Sequence, residues 1–285
     1  MLKTSDVSKK IAETTFVFLD VETTGLSPEF GDRICELALL QWRDGRVLAT
    51  FHSLVNPGRL ISRAASAVNG ITDSMVEQAP YFHELSGDIT KFLQDAVLVA
   101  HNATFDISFL NAHLLGINLD PLDQTVIDTL ALARRCYKFP SNSLGNIAKT
   151  LEIPVSDEHR ALGDVKTTIK IFEHFLADLK VKGIQDIGQL VSLQGGEIIL
   201  PSQSKPVLPT LLEEAIKNQG QIFIRYLSEY NEEVTRIVKP ALVRREACRT
   251  VLVAYCQFKE TEFVVPLDSI LEIKPLPNQP VQEQI

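Results

Sequence analysis

The sequence is poor in the features that mark disulfide-rich, zinc-binding and membrane-spanning proteins. It has four cysteines in 285 residues, none in a Cys-x-x-Cys pair or near a histidine at zinc-ligand spacing. No apolar stretch is long enough to span a bilayer. The first fifteen residues are polar and charged, so we expect neither a leader peptide nor a membrane partner. These absences predict a cytoplasmic protein with reduced thiols.

The chain also lacks an excess of positive charge. It carries 28 Lys and Arg against 36 Asp and Glu, a formal net charge of −8 at pH 7. Proteins that coat nucleic acid by bulk electrostatics are basic, so the charge argues against that class. An enzyme whose acidic cluster is neutralised by metal remains compatible with it. The length is sufficient for two domains, each with a core of its own.

Two carboxylates interrupt an apolar run near the N-terminus. The sequence Phe-Val-Phe-Leu-Asp-Val-Glu predicts a strand buried on both faces, and Asp20 and Glu22 leave it on the same side. Carboxylates this close repel unless a cation lies between them, and Mg²⁺ or Mn²⁺ suits their oxygens. The alternative is an Asp that caps a loop beside a solvated Glu. The amides and hydroxyls of Thr23, Thr24 and Gly25, which follow, could hold a phosphate or a sugar hydroxyl.

A second acidic position lies at the start of a predicted helix. A short buried strand at 97–100 leads into the sequence His-Asn-Ala-Thr-Phe-Asp, which ends at Asp106. Asn102 is predicted to cap the helix, and Asp106 lies in its first turn, where the helix dipole favours an anion. Dipole compensation alone would also explain Asp106. His101 and His113 are predicted to be packing or surface histidines rather than ligands.

A third acidic position has a histidine close to it. The sequence His-Arg-Ala-Leu-Gly-Asp runs from His159 to Asp164 and leads into an amphipathic helix. Because residues five apart do not share a helical face, His159 is expected on the entering loop, facing the carboxylate. A histidine pKa of about 6.5 would let His159 accept a proton near neutral pH. A helix cap or a surface residue is the alternative interpretation.

Together these segments resemble the three exonuclease motifs of the DEDDh family, which includes the proofreading epsilon subunit of bacterial DNA polymerase III and ribonuclease T. The resemblance covers roughly residues 14–180, with the motifs in the expected order. It implies an α/β, ribonuclease H-like fold: a mixed five-stranded sheet with flanking helices. The implied activity is removal of nucleoside 5′-monophosphates from a 3′ end. Four carboxylates can bind two divalent metals, which clamp the attacking and leaving oxygens in phosphoryl transfer.

The resemblance also implies a role for each motif residue. Asp20, Glu22 and Asp164 would hold one metal. Asp20 would bridge to the second metal, which Asp106 would support, and His159 would be the general base. The substrate-binding positions would be Thr23, Thr24, Gly25, Leu26, Asn102 and Phe105. The chain departs from many relatives at Asn69, where they have a histidine before the sequence Gly-Ile-Thr.

A second, β-rich region follows a stretch containing two glycines and three prolines. The predicted organisation is an exonuclease domain at 1–190, a linker at 191–209, an accessory domain at 210–276 and a tail at 277–285. The accessory domain is similar to a WYL domain, which implies a small SH3-like or Sm-like barrel. Thr250, Val251 and Leu252 replace the tripeptide that names those domains, and Val265 and Ser269 replace basic residues.

Basic residues of the accessory domain cluster around a single acid, Glu246. They are Arg236, Lys239, Arg244, Arg245 and Arg249. Two interpretations stay open: a patch that holds the single strand being degraded, and a solvated loop with excess positive charge.

The leading hypothesis is a free-standing 3′–5′ exonuclease that acts on 3′ ends of single-stranded nucleic acid, with DNA favoured and two Mg²⁺ or Mn²⁺ ions as cofactors. The second is a proofreading subunit with a polymerase partner. Epsilon-type subunits reach the polymerase through a flexible C-terminal tail, so the folded C-terminal region expected here favours the first hypothesis. A ligand or nucleic-acid sensor would need neither four carboxylates nor His159. A homodimer is compatible with each hypothesis.

Overall fold

The computed structural model divides the chain into two compact units. It describes residues 8–28, 31–155, 159–198, 209–228, 233–246, 249–256 and 262–276.

A mixed five-stranded sheet forms the centre of the first unit. Its strands are β1 (Phe16–Thr23), β2 (Ile34–Arg43), β3 (Arg46–Leu54), β4 (Val97–Ala100) and β5 (Val126–Asp128). They are hydrogen-bonded in the order β3-β2-β1-β4-β5. β2 runs antiparallel to β1 and β3, whereas β4 runs parallel to β1 and β5. The predicted α/β class and mixed five-stranded sheet are therefore confirmed.

Helices flank this sheet. They are α1 (Arg63–Asn69), α2 (Asp73–Val76), α3 (Phe82–Leu93), α4 (Ala103–Gly116), α5 (Thr129–Cys136), α6 (Leu144–Thr150), α7 (Ala161–Val181) and α8 (Ile187–Gln194). A single 3₁₀ turn at Ile11–Glu13 precedes β1. Within the described ranges, no helix is both long and apolar enough to cross a bilayer.

β1 is buried on both faces because its alternate side chains belong to two different cores. Phe16 and Phe18 pack edge-on against Phe172 of α7, with ring centroids 5.3 and 5.4 Å apart. Val17 and Leu19 point to the other face and lie in a core shared with α3 and α4. The strand that leads into the first two acidic positions is therefore fixed from both sides.

The first unit extends further along the chain than its composition predicts. The side chain of Gln194, at the end of α8, is buried against β5. Its Oε1 accepts from the N–H of Asp128 and its Nε2 donates to the carbonyl of Val126, both at 2.9 Å. The prediction that residues 191–194 belong to the linker is therefore wrong. Gly195, which suggested flexibility, ends the helix instead, in the left-handed conformation at φ 104°.

The second unit is β-rich, as predicted. It comprises α9 (Thr210–Lys217), β6 (Ile222–Leu227), β7 (Glu233–Glu246), β8 (Arg249–Cys256), β9 (Glu262–Pro266), a 3₁₀ turn (Leu267–Ser269) and β10 (Ile270–Pro275). The strands form an antiparallel sheet in the order β10-β6-β7-β8-β9. Leu212 and Ala215 of α9 lie in the core of this unit. The SH3-like or Sm-like barrel and the relation to WYL domains stay predictions.

β7 is longer than the strand at 234–238 that apolar alternation predicts. It continues through Pro240, although proline has no N–H to donate and is rare inside a sheet. A shift of the β7–β8 register between Pro240 and Leu242 accommodates the proline. Such a bulge leaves one residue unpaired and lets the strand continue beyond it.

Candidate active site and metal centre

The end of β1 presents Asp20 and Glu22 beside the neighbouring strand β2. Asp20 lies opposite Ala38 and Glu22 opposite Glu36 in the β1–β2 register. The register shifts immediately after Glu22, where β1 approaches the end of its pairing with β2. Because side chains two apart share one face of a strand, both carboxylates project together from this end.

The first turn of α7 brings the third carboxylate to the same place. One oxygen each of Asp20, Glu22 and Asp164 can be chosen so that all three lie within 4.8 Å of one another. The N–H of Asp164 donates to the carbonyl of Arg160 at 3.0 Å, which fixes the start of the helix. The structure therefore gathers three of the four acidic residues expected to bind metal.

The fourth carboxylate, Asp106, lies next to this group but faces a different partner. It is buried in the first turn of α4, and its Oδ1 accepts from the N–H of Val21 at 3.0 Å. β4 pairs with β1 only as far as Phe18, so Asp106 extends the hydrogen bonding along that edge of β1. One oxygen of Asp106 is therefore engaged with the backbone rather than directed at the other three acids.

Burial and mutual repulsion raise the pKa values of these acids. The pKa of Asp20 is raised well above its usual value by burial and by the charges of Asp106, Glu22 and Asp164. Burial and the charge of Asp164 raise the pKa of Glu22 to about 8. Burial also raises the pKa of Asp106, although the bond from Val21 opposes it. A hard divalent cation suits an all-carboxylate set and would remove the repulsion, so the residues fit Mg²⁺ or Mn²⁺.

His159 lies on the turn before α7, where the sequence predicted it. It has a backbone φ of 60°, a left-handed conformation that residues other than glycine adopt rarely. Its side chain lines a cavity of about 280 Å³ together with Asp164, Ser143 and Thr167. Asp164 thus belongs both to the acidic cluster and to the wall of this cavity. If the imidazole of His159 acts as a base, it would take a proton from a molecule bound in this cavity, next to the acidic cluster.

The threonine hydroxyls in the turn after β1 make hydrogen bonds within the turn. Thr23 and Thr24 are buried. The Thr23 hydroxyl donates to the carbonyl of Gly25, and the Thr24 hydroxyl accepts from the N–H of Arg33 at 3.0 Å. These bonds stabilise the turn, and binding of a phosphate or sugar hydroxyl by Thr23, Thr24 and Gly25 stays a prediction. Leu26, by contrast, is 84% exposed.

Asn102 stands at the predicted cap position but does not cap α4 with its side chain. A capping side chain needs an extended backbone, whereas Asn102 is left-handed, with φ 70°. Its N–H instead donates to Oδ1 of Asp128 at 2.9 Å. Phe105, one turn along, packs on Phe109 with ring centroids 5.0 Å apart. A hydrogen bond from the backbone of Asn102 to the last residue of β5 therefore fixes the start of α4.

Both histidines that the sequence excluded as ligands have packing roles. His101 lies 2.9 Å from the hydroxyl of Thr129 and 3.0 Å from the carbonyl oxygen of Asn142. His113 accepts from the N–H of Ile34 at 3.1 Å, and burial lowers its pKa to about 3. The packing interpretation is confirmed for both.

Two residues, Glu36 and Asn69, have supporting roles that the sequence did not indicate. Glu36 is fully buried in β2 and accepts hydrogen bonds from Arg160, His52 and the N–H of Ala161. Burial alone raises the pKa of Glu36, but these hydrogen bonds outweigh it and hold the pKa below its usual value.

The second of these residues, Asn69, is also buried. It accepts from the N–H of Ile71 at 2.9 Å, and a hydrogen bond between its side chain and Glu22 lowers the pKa of Glu22 against the burial that raises it. In the sequence, each of these residues could have been noticed only as a polar side chain next to apolar residues.

The basic cluster of the second unit is only partly described. Arg236 is half-buried and lies over the ring of Phe263, 5.2 Å from its centroid. Lys239 is exposed on the same strand. The side chains of Arg244, Arg245 and Arg249 lie outside the described residues. The strand-binding patch therefore stays a prediction.

The chain was compared with protein families, curated sequences and solved structures. A family model described as Exonuclease matches residues 17–172, which include all three motifs. DNA polymerase III PolC-type of Thermotoga petrophila is 34% identical over 232 residues, 80% of this chain and 17% of that protein. The PolC-type protein of Caldanaerobacter subterraneus subsp. tengcongensis is 32% identical over 287 residues, 95% of this chain and 20% of that protein. The chain thus spans a fifth or less of these relatives, and the second alignment extends into the second unit.

A solved structure resembles the first unit. Exonuclease X in complex with 5′-overhanging duplex DNA has a TM-score of 0.51 and 27% sequence identity, covering 63% of this chain and 99% of that chain.

Proposed function

The chain belongs to the exonuclease family, and we propose that it is a DEDDh-type, metal-dependent 3′–5′ exonuclease. It hydrolyses the terminal phosphodiester of single-stranded nucleic acid, with DNA favoured, and releases nucleoside 5′-monophosphates. The observation that carries the proposal is the convergence of Asp20, Glu22 and Asp164 within 4.8 Å, with His159 in the adjoining cavity wall. Exonuclease X, which resembles the first unit, is described in complex with DNA.

Each of these side chains has a role in the proposal. Asp20, Glu22 and Asp164 would hold two divalent ions with support from Asp106, and Mg²⁺ or Mn²⁺ would supply positive charge at the reacting phosphate. His159 accepts the proton of the attacking water at an imidazole nitrogen. Because it shares a cavity wall with Asp164, that proton acceptor lies beside the phosphate position.

The substrate-contact residues follow from exposure and position. Leu26 is exposed at the end of the turn after β1 and packs against the terminal base. The backbone of Thr23, Thr24 and Gly25 meets the terminal 3′-hydroxyl, while the internally bonded hydroxyls of Thr23 and Thr24 keep that backbone in place. Asn102 and Phe105, at the start of α4, would also contact the substrate.

A cleavage assay tests this function. Single-stranded DNA labelled at its 5′ end should shorten one nucleotide at a time in Mg²⁺, and the same strand with a blocked 3′ end should resist. EDTA or Asp164→Asn should abolish the reaction, whereas Asp178→Asn, which changes a half-buried acid near the other end of the same helix, should not. Internal cuts, or cleavage of the blocked strand, would overturn the proposal. The rate on RNA of the same sequence, compared with the rate on DNA, shows which nucleic acid is the better substrate.

Similarity to PolC-type polymerases favours a second candidate, proofreading with a polymerase partner. The chain aligns with those proteins over 80% or more of its length, although it spans a fifth or less of theirs. A proofreading enzyme removes an unpaired 3′ terminus faster than a paired one. Primer–template duplexes with a matched or a mismatched 3′ nucleotide distinguish the candidates, because a free-standing single-strand exonuclease should leave both largely intact.

A further inference from the structure

Glu36 is a buried carboxylate on the same face of the sheet as the metal-binding acids. It is fully buried in β2, directly across the β1–β2 register from Glu22. A carboxylate removed from water is costly unless it is paired and hydrogen-bonded. Its position beside other acids increases that cost, so a specific set of donors must hold it.

The main donor is the guanidinium of Arg160, which binds Glu36 with two parallel hydrogen bonds. Nε lies 3.0 Å from Oε2 and a terminal nitrogen lies 2.7 Å from Oε1. The N–H of Ala161 adds a bond to Oε2 at 3.0 Å, and Nε2 of His52 lies 2.8 Å from Oε1. Two-pronged pairing of this kind fixes orientation as well as distance.

These contacts hold the turn that carries His159. Arg160 is the N-cap residue of α7, and its own side chain does not cap the helix. The carboxylate of Glu36, from a strand 124 residues earlier in the sequence, binds its guanidinium and the first helical N–H instead. His159 precedes this pair in a left-handed conformation that a non-glycine residue keeps only when its surroundings hold it.

We propose that Glu36 and Arg160 form a clamp that positions His159 for proton transfer. Neither residue touches the reacting atoms in this proposal, which rests on the function assigned to His159 above. The clamp also keeps the charge of Glu36 paired with Arg160, so that Glu36 does not act as an additional metal ligand beside Glu22. Both residues are positioning residues.

A double-mutant cycle tests the clamp. Arg160→Lys keeps the charge but loses the two-pronged bond, and it should lower kcat about 10- to 100-fold while changing KM by less than about threefold. In a His159→Ala background, the same change should cost less than about threefold, because Arg160 acts through His159. If the fold-losses in kcat of the two single variants multiply in the double variant, the proposal is overturned. If His159→Ala alone keeps the wild-type rate, the general-base function fails instead.

A spectroscopic readout separates positioning from general destabilisation. In protein with ¹³C-labelled histidine, the ring signal that disappears in His159→Ala identifies His159. That signal should shift in Arg160→Lys and in Glu36→Gln. It should stay in place in Lys170→Gln, which breaks the Lys170–Glu173 pair (2.8 Å) further along α7. An unmoved His159 signal in both folded clamp variants would contradict the proposal. If Arg160→Lys does not fold, Glu36→Gln supplies the kinetic cycle.

Discussion

Asp20 shows how a catalytic carboxylate can oppose the fold that carries it. Its raised pKa means that the ionised side chain is less stable in the folded protein than in the unfolded chain. The unfavourable contribution grows as the pH rises above the unfolded value of about 3.9. A bound divalent cation would reverse this balance, so metal and folding stability should be linked at this residue.

Asp20→Asn should therefore separate activity from stability. Nuclease activity in Mg²⁺ should be essentially lost, because the residue lies between both proposed ions. In EDTA at pH 8 the variant should have a higher Tm than the wild type, and the difference should shrink at pH 5. Thermal unfolding and the cleavage assay measure the two effects, with Asp88→Asn, which changes an exposed acid of α3, as the control. A folded Asp20→Asn protein that cleaves at the wild-type rate would contradict the assignment of Asp20 as a metal-binding residue.

Glu22 predicts a pH dependence of metal binding. With a pKa of about 8, it is protonated in the metal-free protein at pH 6 to 7, and a divalent cation must displace that proton. Mn²⁺ affinity should rise between pH 6 and pH 8, and calorimetry in buffers of different ionisation enthalpy should detect proton release. Glu22→Gln should weaken binding and reduce the proton-release signal, leaving the part contributed by Asp20, whose pKa is also raised. Equal affinity and no proton release across this range would contradict the assigned pKa direction.

The sequence was informative about acids that project from strand and helix ends, and uninformative about their supports. Asp20 and Glu22 stand out because charges inside an apolar run need an explanation. Glu36 stands in a similar run, but its partner Arg160 lies 124 residues away. Only the tertiary structure brings that guanidinium to β2. The internal bonds of the Thr23 and Thr24 hydroxyls were also undetectable, since they depend on how the turn closes.

At the scale of elements, α7 connects catalysis to the core. Its first turn carries Asp164, and Phe172, two to three turns later, packs against Phe16 and Phe18. Phe172 is fully buried. The orientation of the helix, and hence the place of Asp164, depends on this aromatic contact.

Phe172→Ala should cost about 3–5 kcal/mol of unfolding free energy, the range for a large aromatic side chain deleted from a core. Val181→Ala, at the exposed end of the same helix, should change it by less than about 0.5 kcal/mol. Urea denaturation followed by circular dichroism measures both. A loss below about 1 kcal/mol for Phe172→Ala would show that the helix does not depend on this contact.

The ends of helices and strands could be predicted where glycine and proline play their usual roles. The prediction failed where a glycine or proline plays a different role. The strand predicted at 97–100 coincides with β4. Gly195 ends α8, although together with the next glycine it was interpreted as a linker. Pro240 lies inside β7, although proline usually excludes a central strand. Both errors arose because tertiary contacts decide which role a glycine or proline takes.

At the scale of the whole molecule, charge distinguishes the two regions of the chain. Residues 1–180 carry 17 Lys and Arg against 23 Asp and Glu, a net charge of −6, so they attract a polyanion weakly. The local excess between residues 236 and 249 would add attraction for a strand longer than the active site holds. The proposed role of the second unit is therefore a strand-binding arm.

Ending the chain after Ile198 tests this role while keeping α8 and its Gln194 contacts. Cleavage of very short oligonucleotides should be unchanged, whereas degradation of long single strands should weaken. The log–log salt slope of binding should become shallower by about 0.7 for each lost phosphate contact.

In the full-length chain, Arg244→Ala, Arg245→Ala and Arg249→Ala together should have the same effect on the salt slope. Equal binding of long strands by all three proteins across a salt series would show that the second unit serves dimerisation or a small-ligand signal instead.

The distance in sequence between the acids has a consequence for biosynthesis. β1 leaves the ribosome with Asp20 and Glu22, but Asp164 follows 144 residues later. Chains emerge N-terminus first, and β1 must also wait for α3, α4 and α7 before both of its faces are covered. A nascent chain that ends before α7 therefore lacks Asp164 and has no complete metal site. If the proposed function is right, nuclease activity should therefore begin only when translation has delivered α7, and a chain interrupted before α7 should leave nucleic acid intact.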